Sequence, residues 1–167
     1  KKLSVVPLTT HIKVKQISKF VKKDLLMKKI NTLNSYYQKY FKKKPKIAVL
    51  GLNPHNFEFN KHSEEKKLIL PAIIKLKNRF NISGPYSSDT IFIKDNLKKF
   101  DVVVGMYHDQ VLAPFKALFG FDAVNITLGL PYIRMSPDHG VAEDKKKKNI
   151  SSPQSLNRCI EIISNLN

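Results

Sequence analysis

Three histidines each follow a short apolar run: His11 after SVVPLTT, His55 after IAVLGLNP and His108 after VVVGMY. Such runs, β-branched and without polar alternation, read as buried strands of a parallel sheet. In open α/β sheets ligands sit beyond the carboxyl ends of the strands, where loops converge. Any one of these histidines, taken alone, reads first as an ordinary loop residue making hydrogen bonds. Their shared placement is what points to chemistry. Three imidazoles with open positions beside them are the ligand count of a catalytic divalent-metal centre. Imidazole accepts zinc, nickel, cobalt and manganese with differing affinity, so the residue types leave the metal open.

A second group lies downstream, where HDQVLAPFKALFGFDAVNITLGLPYIR offers Lys116, Asn125, Thr127 and Arg134. Arg134, one of three arginines, sits in the apolar setting LPYIRM. A bare guanidinium there is costly without an anion to meet it. It is either a clamp for a phosphate or carboxylate, or an edge residue paired with Asp138. PDHG (137–140) is a turn by composition, and nothing internal makes His139 more than a turn residue. No GxGxxG occurs anywhere, so a dinucleotide fingerprint cannot be invoked.

Strand-like and helix-like runs alternate along the chain. LSVVPLT is followed by IKVKQISKFVKKDLLMKKINTLNSYYQKYF, where Ile17, Phe20, Val21, Leu25, Met27, Leu33, Tyr36 and Tyr40 recur near the helical period. KIAVLG (46–51) is a buried strand. SEEKKLILPAIIKLKNRF (63–80) reads as a helix, acidic in its first turn and basic in its last, with Pro71 expected to kink or interrupt it. ISGPY is a short strand, and SDTIFIKDNLKKF a helix capped by Ser88 or Asp89. DVVVGM (101–106) is the next buried strand, with a helix through DQVLAPFKALF, a strand at AVNITLG and a closing helix in SPQSLNRCIEIISNLN that starts with Ser-Pro. The pattern is α/β with a mostly parallel sheet and helices on both faces.

Composition bounds the function. A chain of 167 residues with 42% apolar content can bury one sizeable core. It opens on KKLSVVPLTTH without an initiator methionine, as a fragment would. The formal net charge of +17 raises a nucleic-acid partner, but nearly all of it is lysine spread over helix faces and loops, with few arginines for bidentate phosphate or base contacts. A solvated surface is the expected role of that charge. No apolar run approaches the roughly 18 residues of a membrane span and no signal-peptide pattern opens the chain. The lone Cys159 has no internal disulfide partner, which with the foregoing gives a cytoplasmic expectation.

The motifs LTTH, GLNPH, SSDTIF, MYHDQVLAPFK, VNITLGLPYIR and DHGVA, in that order, resemble the C-terminal half of the 4-hydroxythreonine-4-phosphate dehydrogenase family of pyridoxal phosphate biosynthesis. The resemblance extends over essentially the whole chain. It implies a three-layer α/β/α fold of the isocitrate/isopropylmalate dehydrogenase-like class, with residues 1–167 as the C-terminal portion of a protein roughly twice as long and inactive alone. It implies a homodimer with a shared active site, and a divalent metal (zinc, nickel, cobalt, manganese or magnesium) on His11, His55 and His108. Substrate contacts fall on Lys116, Asn125, Arg134 and Asp89. NAD, or NADP, is implied without a glycine fingerprint, touching the turn of Asp138, His139 and Gly140. The implied reaction is the oxidation and decarboxylation of 4-phosphooxy-L-threonine to 3-amino-2-oxopropyl phosphate. The competing readings are a related dehydrogenase of another hydroxy acid and a non-enzymatic basic binder of nucleic acid. One departure stands out: after GLNPH the family continues with a glycine-rich loop, whereas this chain reads NFEFNKHSEE. Phe57 and Phe59 fill positions where the family has little or no side chain.

Overall fold

The apolar runs become adjacent parallel strands. In the computed structural model, which describes residues 3–120, 122–138 and 153–166, β1 (Ser4–Thr9), β2 (Ile47–Leu50), β3 (Ile82–Tyr86) and β4 (Val102–Tyr107) form one sheet in the order β1-β4-β2-β3. Every pairing within it is parallel, with Val5 and Ala48 both in register with Val103. Ala48 and Val103 of that row, with Leu50, pack under Ile91 and Val111 in a buried cluster, and Val5 lies partly buried against it. By the two-residue alternation of strands, Ile47, Val49, Val102 and Val104 face the other side, and they too are buried. Two apolar faces explain why these strands are continuous hydrophobic runs rather than alternating ones.

The helices are α1 (Ile17–Phe20), α2 (Lys23–Phe41), α3 (Leu70–Leu76), α4 (Ser88–Ile91), α5 (Lys94–Leu97), α6 (His108–Phe119) and α7 (Gln154–Ser164). α2 and α3 pack on each other and against β1 and β3 respectively, contributing buried Leu26, Ile30, Leu33, Ala72 and Ile73. The long helix expected after β1 is broken into a 3-10 turn (Val14–Gln16), α1 and α2. Val21 sits at the break in extended conformation and is 1% exposed, so burying a β-branched side chain there outweighs continuing the helical ladder. The break expected at Pro71 is a change of helix type: a π-helical turn (Glu65–Ile69) gives way directly to α3, with the proline in its first turn. SDTIFIKDNLKKF makes two short helices instead of one, and Ser88 and Asp89 lie inside the first turn of α4 rather than capping it.

The chain divides into two compact units, residues 1–115 and 116–167. The parallel sheet belongs to the first. In the second, β5 (Val124–Thr127) and β6 (Arg134–Pro137) form an antiparallel pair on which α7 packs. The β6 strand was not anticipated, because RMSP carries no strand pattern. Ser155 ties the helix to the ribbon, donating to the Ala123 carbonyl at 2.6 Å and accepting from the Asp138 amide at 3.1 Å.

Candidate functional site

Because the first unit's sheet is entirely parallel, all its strands end at one edge, and the residues beyond those ends line up in strand order. His11 follows β1, His108 follows β4, His55 follows β2 and Asp89 follows β3. The edge is laced by side chains that sequence reading missed. Thr9 donates its hydroxyl to the Met106 carbonyl at 2.7 Å, joining β1 to β4. Gln110 accepts from the Met106 amide at 2.6 Å and donates to the Gly51 carbonyl at 2.7 Å, joining β4 to the loop after β2. Gly105 permits this close approach of α6 to its own strand, since a Cβ there would lie 2.4 Å from Val111 and 3.0 Å from the Gln110 oxygen.

The four edge residues form two neighbouring pairs. The rings of His11 and His108 lie 5.7 Å apart, centre to centre. His55 Nε2 lies 3.9 Å from Asp89 Oδ2, with both side chains more than half exposed. His108 Nδ1 meets the carboxylate of Asp109 at 2.7 Å, which leaves its Nε2 as the nitrogen open to a ligand. Carboxylate support on the far ring nitrogen is the usual companion of a metal-binding histidine. Among the described residues no three His, Cys, Asp or Glu side chains gather closely enough to hold a metal ion.

His55 is presented by an unusual backbone. Residues 55–59 all have positive φ, at 48°, 57°, 47°, 48° and 54°, in sequence order. This is a left-handed turn built without glycine, in a conformation that costs an L-residue about 1–2 kcal/mol. Phe57 and Phe59 do not fold inward but point into solvent, 54% and 42% exposed. This loop therefore follows a left-handed path without glycine and carries its strain. Asn56, the buried member, is of a type that tolerates this region; its Nδ2 donates to the Pro85 carbonyl at 3.3 Å. Glu65 closes the turn from the other side, accepting the amides of Leu52 and Asn53 at 2.7 Å each. Burial pushes the Glu65 carboxyl up, but the N–H groups of Asn53 and Leu52 more than offset that and hold it below its ordinary value.

In the second unit, Lys116 Nζ lies 3.3 Å from the Asp138 carboxylate and donates to its carbonyl at 3.2 Å. Arg134 does not pair with Asp138. Its guanidinium donates to Thr127 Oγ1 at 2.8 Å, directly across the ribbon. Residues opposite one another in an antiparallel pair share a face, so the register Thr127↔Arg134 and Asn125↔Ser136 puts Asn125 and Arg134 on one side. Val124, Ile126 and Met135 take the other. His139 and Gly140 lie outside the described residues.

These residues occur in the order and context of a single family. Residues 1–163 match the model of the pyridoxal phosphate biosynthetic protein PdxA family. The chain belongs to that family. PdxA relatives include the 4-hydroxythreonine-4-phosphate dehydrogenases of Sulfurihydrogenibium sp., 45% identical with 97% of this chain and 51% of that protein aligned, and of Aquifex aeolicus, 43% identical with 99% and 52% aligned. Among solved structures, the 4-hydroxythreonine-4-phosphate dehydrogenase of Burkholderia phymatum superposes with a TM-score of 0.80 at 36% identity, covering 98% of this chain and 51% of that one. The α/β fold expected from the sequence, in the isocitrate/isopropylmalate dehydrogenase-like form of PdxA proteins, is thereby established. The chain spans about half the length of the curated relatives it matches.

Proposed function

We propose that residues 1–167 form the C-terminal portion of an NAD-dependent, or NADP-dependent, 4-hydroxythreonine-4-phosphate dehydrogenase, which oxidises and decarboxylates 4-phosphooxy-L-threonine to 3-amino-2-oxopropyl phosphate, carbon dioxide and the reduced nicotinamide. The observation that carries the reading is the row of His11, His108 and His55 on neighbouring strand ends, in a chain that matches the PdxA family over residues 1–163. Three imidazoles suit a divalent cation by donor type, and the Asp109 carboxylate on His108 leaves the correct ring nitrogen open. His55 is 76% exposed in its side chain, which leaves it free to turn from Asp89 toward the other two. In the assembled enzyme the cation supplies a Lewis acid at the substrate's hydroxyl oxygen, and the nicotinamide supplies the hydride acceptor.

The remaining roles fall to the chain's own side chains. Asp89, at the end of the row, is placed to accept a hydrogen bond from the substrate's amino or hydroxyl group. Lys116, Asn125 and Arg134 anchor the phosphate and orient the substrate. Lys116, now against Asp138, exchanges a carboxylate for a phosphate on binding. Asp138, His139 and Gly140 contact the nucleotide. The protein acts as a cytoplasmic homodimer with a shared active site. No helix among the described residues is long and apolar enough to cross a membrane, and the sparse arginines argue against a nucleic-acid face.

The test is made on the full-length polypeptide containing this chain. Nicotinamide reduction with 4-phosphooxy-L-threonine is followed before and after chelation, and after adding zinc, nickel, cobalt, manganese or magnesium. Loss on chelation and recovery with one of these is expected; full activity in a metal-free preparation refutes the metal role. Turnover only of a different phosphorylated hydroxy acid places the chain with the related dehydrogenases. Tight, salt-sensitive nucleic-acid retention without dehydrogenase activity favours the basic binder.

A further inference from the structure

We infer that Glu65 is a positioning residue that sets the left-handed turn presenting His55. Glu65 is 0% exposed, and its carboxylate meets no lysine or arginine among the described residues. A buried anion with no cation is rare unless N–H groups replace the lost water. Here they come from one short stretch. Oε1 accepts the backbone amides of Leu52 and Asn53 at 2.7 Å each, and Oε2 accepts Asn53 Nδ2 at 3.1 Å. The acceptors thus fix the two residues that lead into Pro54 and His55, at the point where the chain leaves β2 for five consecutive positive-φ residues.

The other contacts of the turn are arranged around this anchor. A Cβ on Gly51 would lie 2.0 Å from Asn56 Oδ1 and 3.1 Å from Glu65 Oε1. Only glycine there lets the Asn56 amide and the Glu65 carboxylate occupy the same corner. Asn56 holds the opposite flank through the Pro85 carbonyl at 3.3 Å. His55 itself is exposed, and among the described residues its charged neighbour is Asp89 at 3.9 Å, so the place from which its ring swings is set by the backbone beneath it and not by packing of the ring. An exposed imidazole on a strained turn keeps its place only if surrounding contacts over-determine the backbone. Glu65 supplies the two shortest of those contacts.

The effect on metal affinity rests on the reading of His55 as a ligand; the positioning does not. The experiment therefore carries two readouts in the full-length polypeptide. Glu65→Leu keeps the volume and removes both acceptors. Glu65→Gln is the milder variant, setting a donor against Asn53 Nδ2, and decides the matter if the leucine variant fails to fold. The first readout is NMR of the ring protons of His11, His55 and His108 together with amide exchange. Displacement of the His55 signals, with those of His11 and His108 in place, is expected alongside at least tenfold faster exchange at Leu52 and Asn53 and unchanged protection in β4. Faster exchange with an unmoved His55 ring overturns the proposal, leaving Glu65 a structural residue only. The second readout is titration with zinc chloride. About a tenfold loss of affinity on Glu65→Leu is expected when His55 is present, and less than twofold in the His55→Ala background. An equal loss in both backgrounds also overturns it. If the unsubstituted protein binds no zinc, the ligand reading of His55 fails and the ring signals alone decide the positioning.

Discussion

Glu58 offers a clean test of the left-handed turn. Its φ and ψ are 48° and 27°, its side chain is exposed, and no hydrogen bond or ion pair engages it among the described residues. Glu58→Gly therefore removes no contact and acts on the backbone alone. Relief of the left-handed strain stabilises the folded state by about 1–2 kcal/mol. The extra freedom of glycine in the unfolded chain offsets about 0.5–1 kcal/mol of that. The expected net gain is about 0.5–1 kcal/mol, a rise in melting temperature of roughly 2–4 °C per kcal/mol for a chain of this size. Lys28→Gly, at an exposed position inside α2, is the matched control, expected to destabilise by roughly 0.5–1 kcal/mol. Urea and thermal melts of both variants, followed by circular dichroism, give the two signs side by side. If Glu58→Gly destabilises as Lys28→Gly does, the turn is not left-handed at this residue and the strain argument is wrong.

Four further outcomes follow from other contacts. Glu65 has a carboxyl held below its ordinary 4.5, which is the unfolded-state value; its contribution is complete above pH 4.5 and is lost as pH falls through the lower folded-state value, so Glu65→Gln should flatten the acid limb of a stability-against-pH curve, and an unchanged limb contradicts the buried-anion assignment. Cys159 is 4% exposed and burial pushes its thiol up, so labelling by a thiol-specific disulfide reagent should wait on unfolding; labelling at the rate of a free thiol in native buffer counts against the packing of α7. Asp109→Asn should weaken divalent-cation binding about tenfold by calorimetry while shifting the melting temperature little, because Asp109 is 80% exposed in its side chain; a large loss of stability with unchanged binding reverses the assignment. Leu50→Ala, at a fully buried position of the sheet, should cost about 2–5 kcal/mol in a denaturant titration, and a cost under about 1 kcal/mol means the site is not packed as described.

The strand-end placement of the histidines was legible because it depends on which residues follow which strands. After their charged first residues, Lys46 and Asp101, KIAVLG and DVVVGM are apolar throughout, the pattern of strands covered on both faces, and Val49 and Val104 are indeed buried beside Ala48 and Val103. The histidines had only to be counted from the ends of those runs. What was not legible depends on partners far along the chain. Glu65 looks like one of two acidic residues at a helix start, and only folding turns its carboxylate into the acceptor for amides 12 and 13 residues away. Gln110 and Thr9 are unremarkable polar residues until β4 is inserted between β1 and β2. Arg134 does not take the Asp138 partner that its neighbours suggested, because β6 sets it opposite Thr127 and leaves Asp138 to Lys116.

Local order, hydrophobic period and strand-end placement thus reside in the linear chain, since burial on two faces constrains each residue separately. The order of the strands, the pairing of His11 with His108 and of His55 with Asp89, and the five-residue left-handed path arise only on folding. These depend on hydrogen bonds and close approaches between segments dozens of residues apart, whose energies no local pattern encodes. A glutamate, a glycine and an asparagine, at positions 65, 51 and 56, acquire meaning as a set only when three dimensions bring them to one corner.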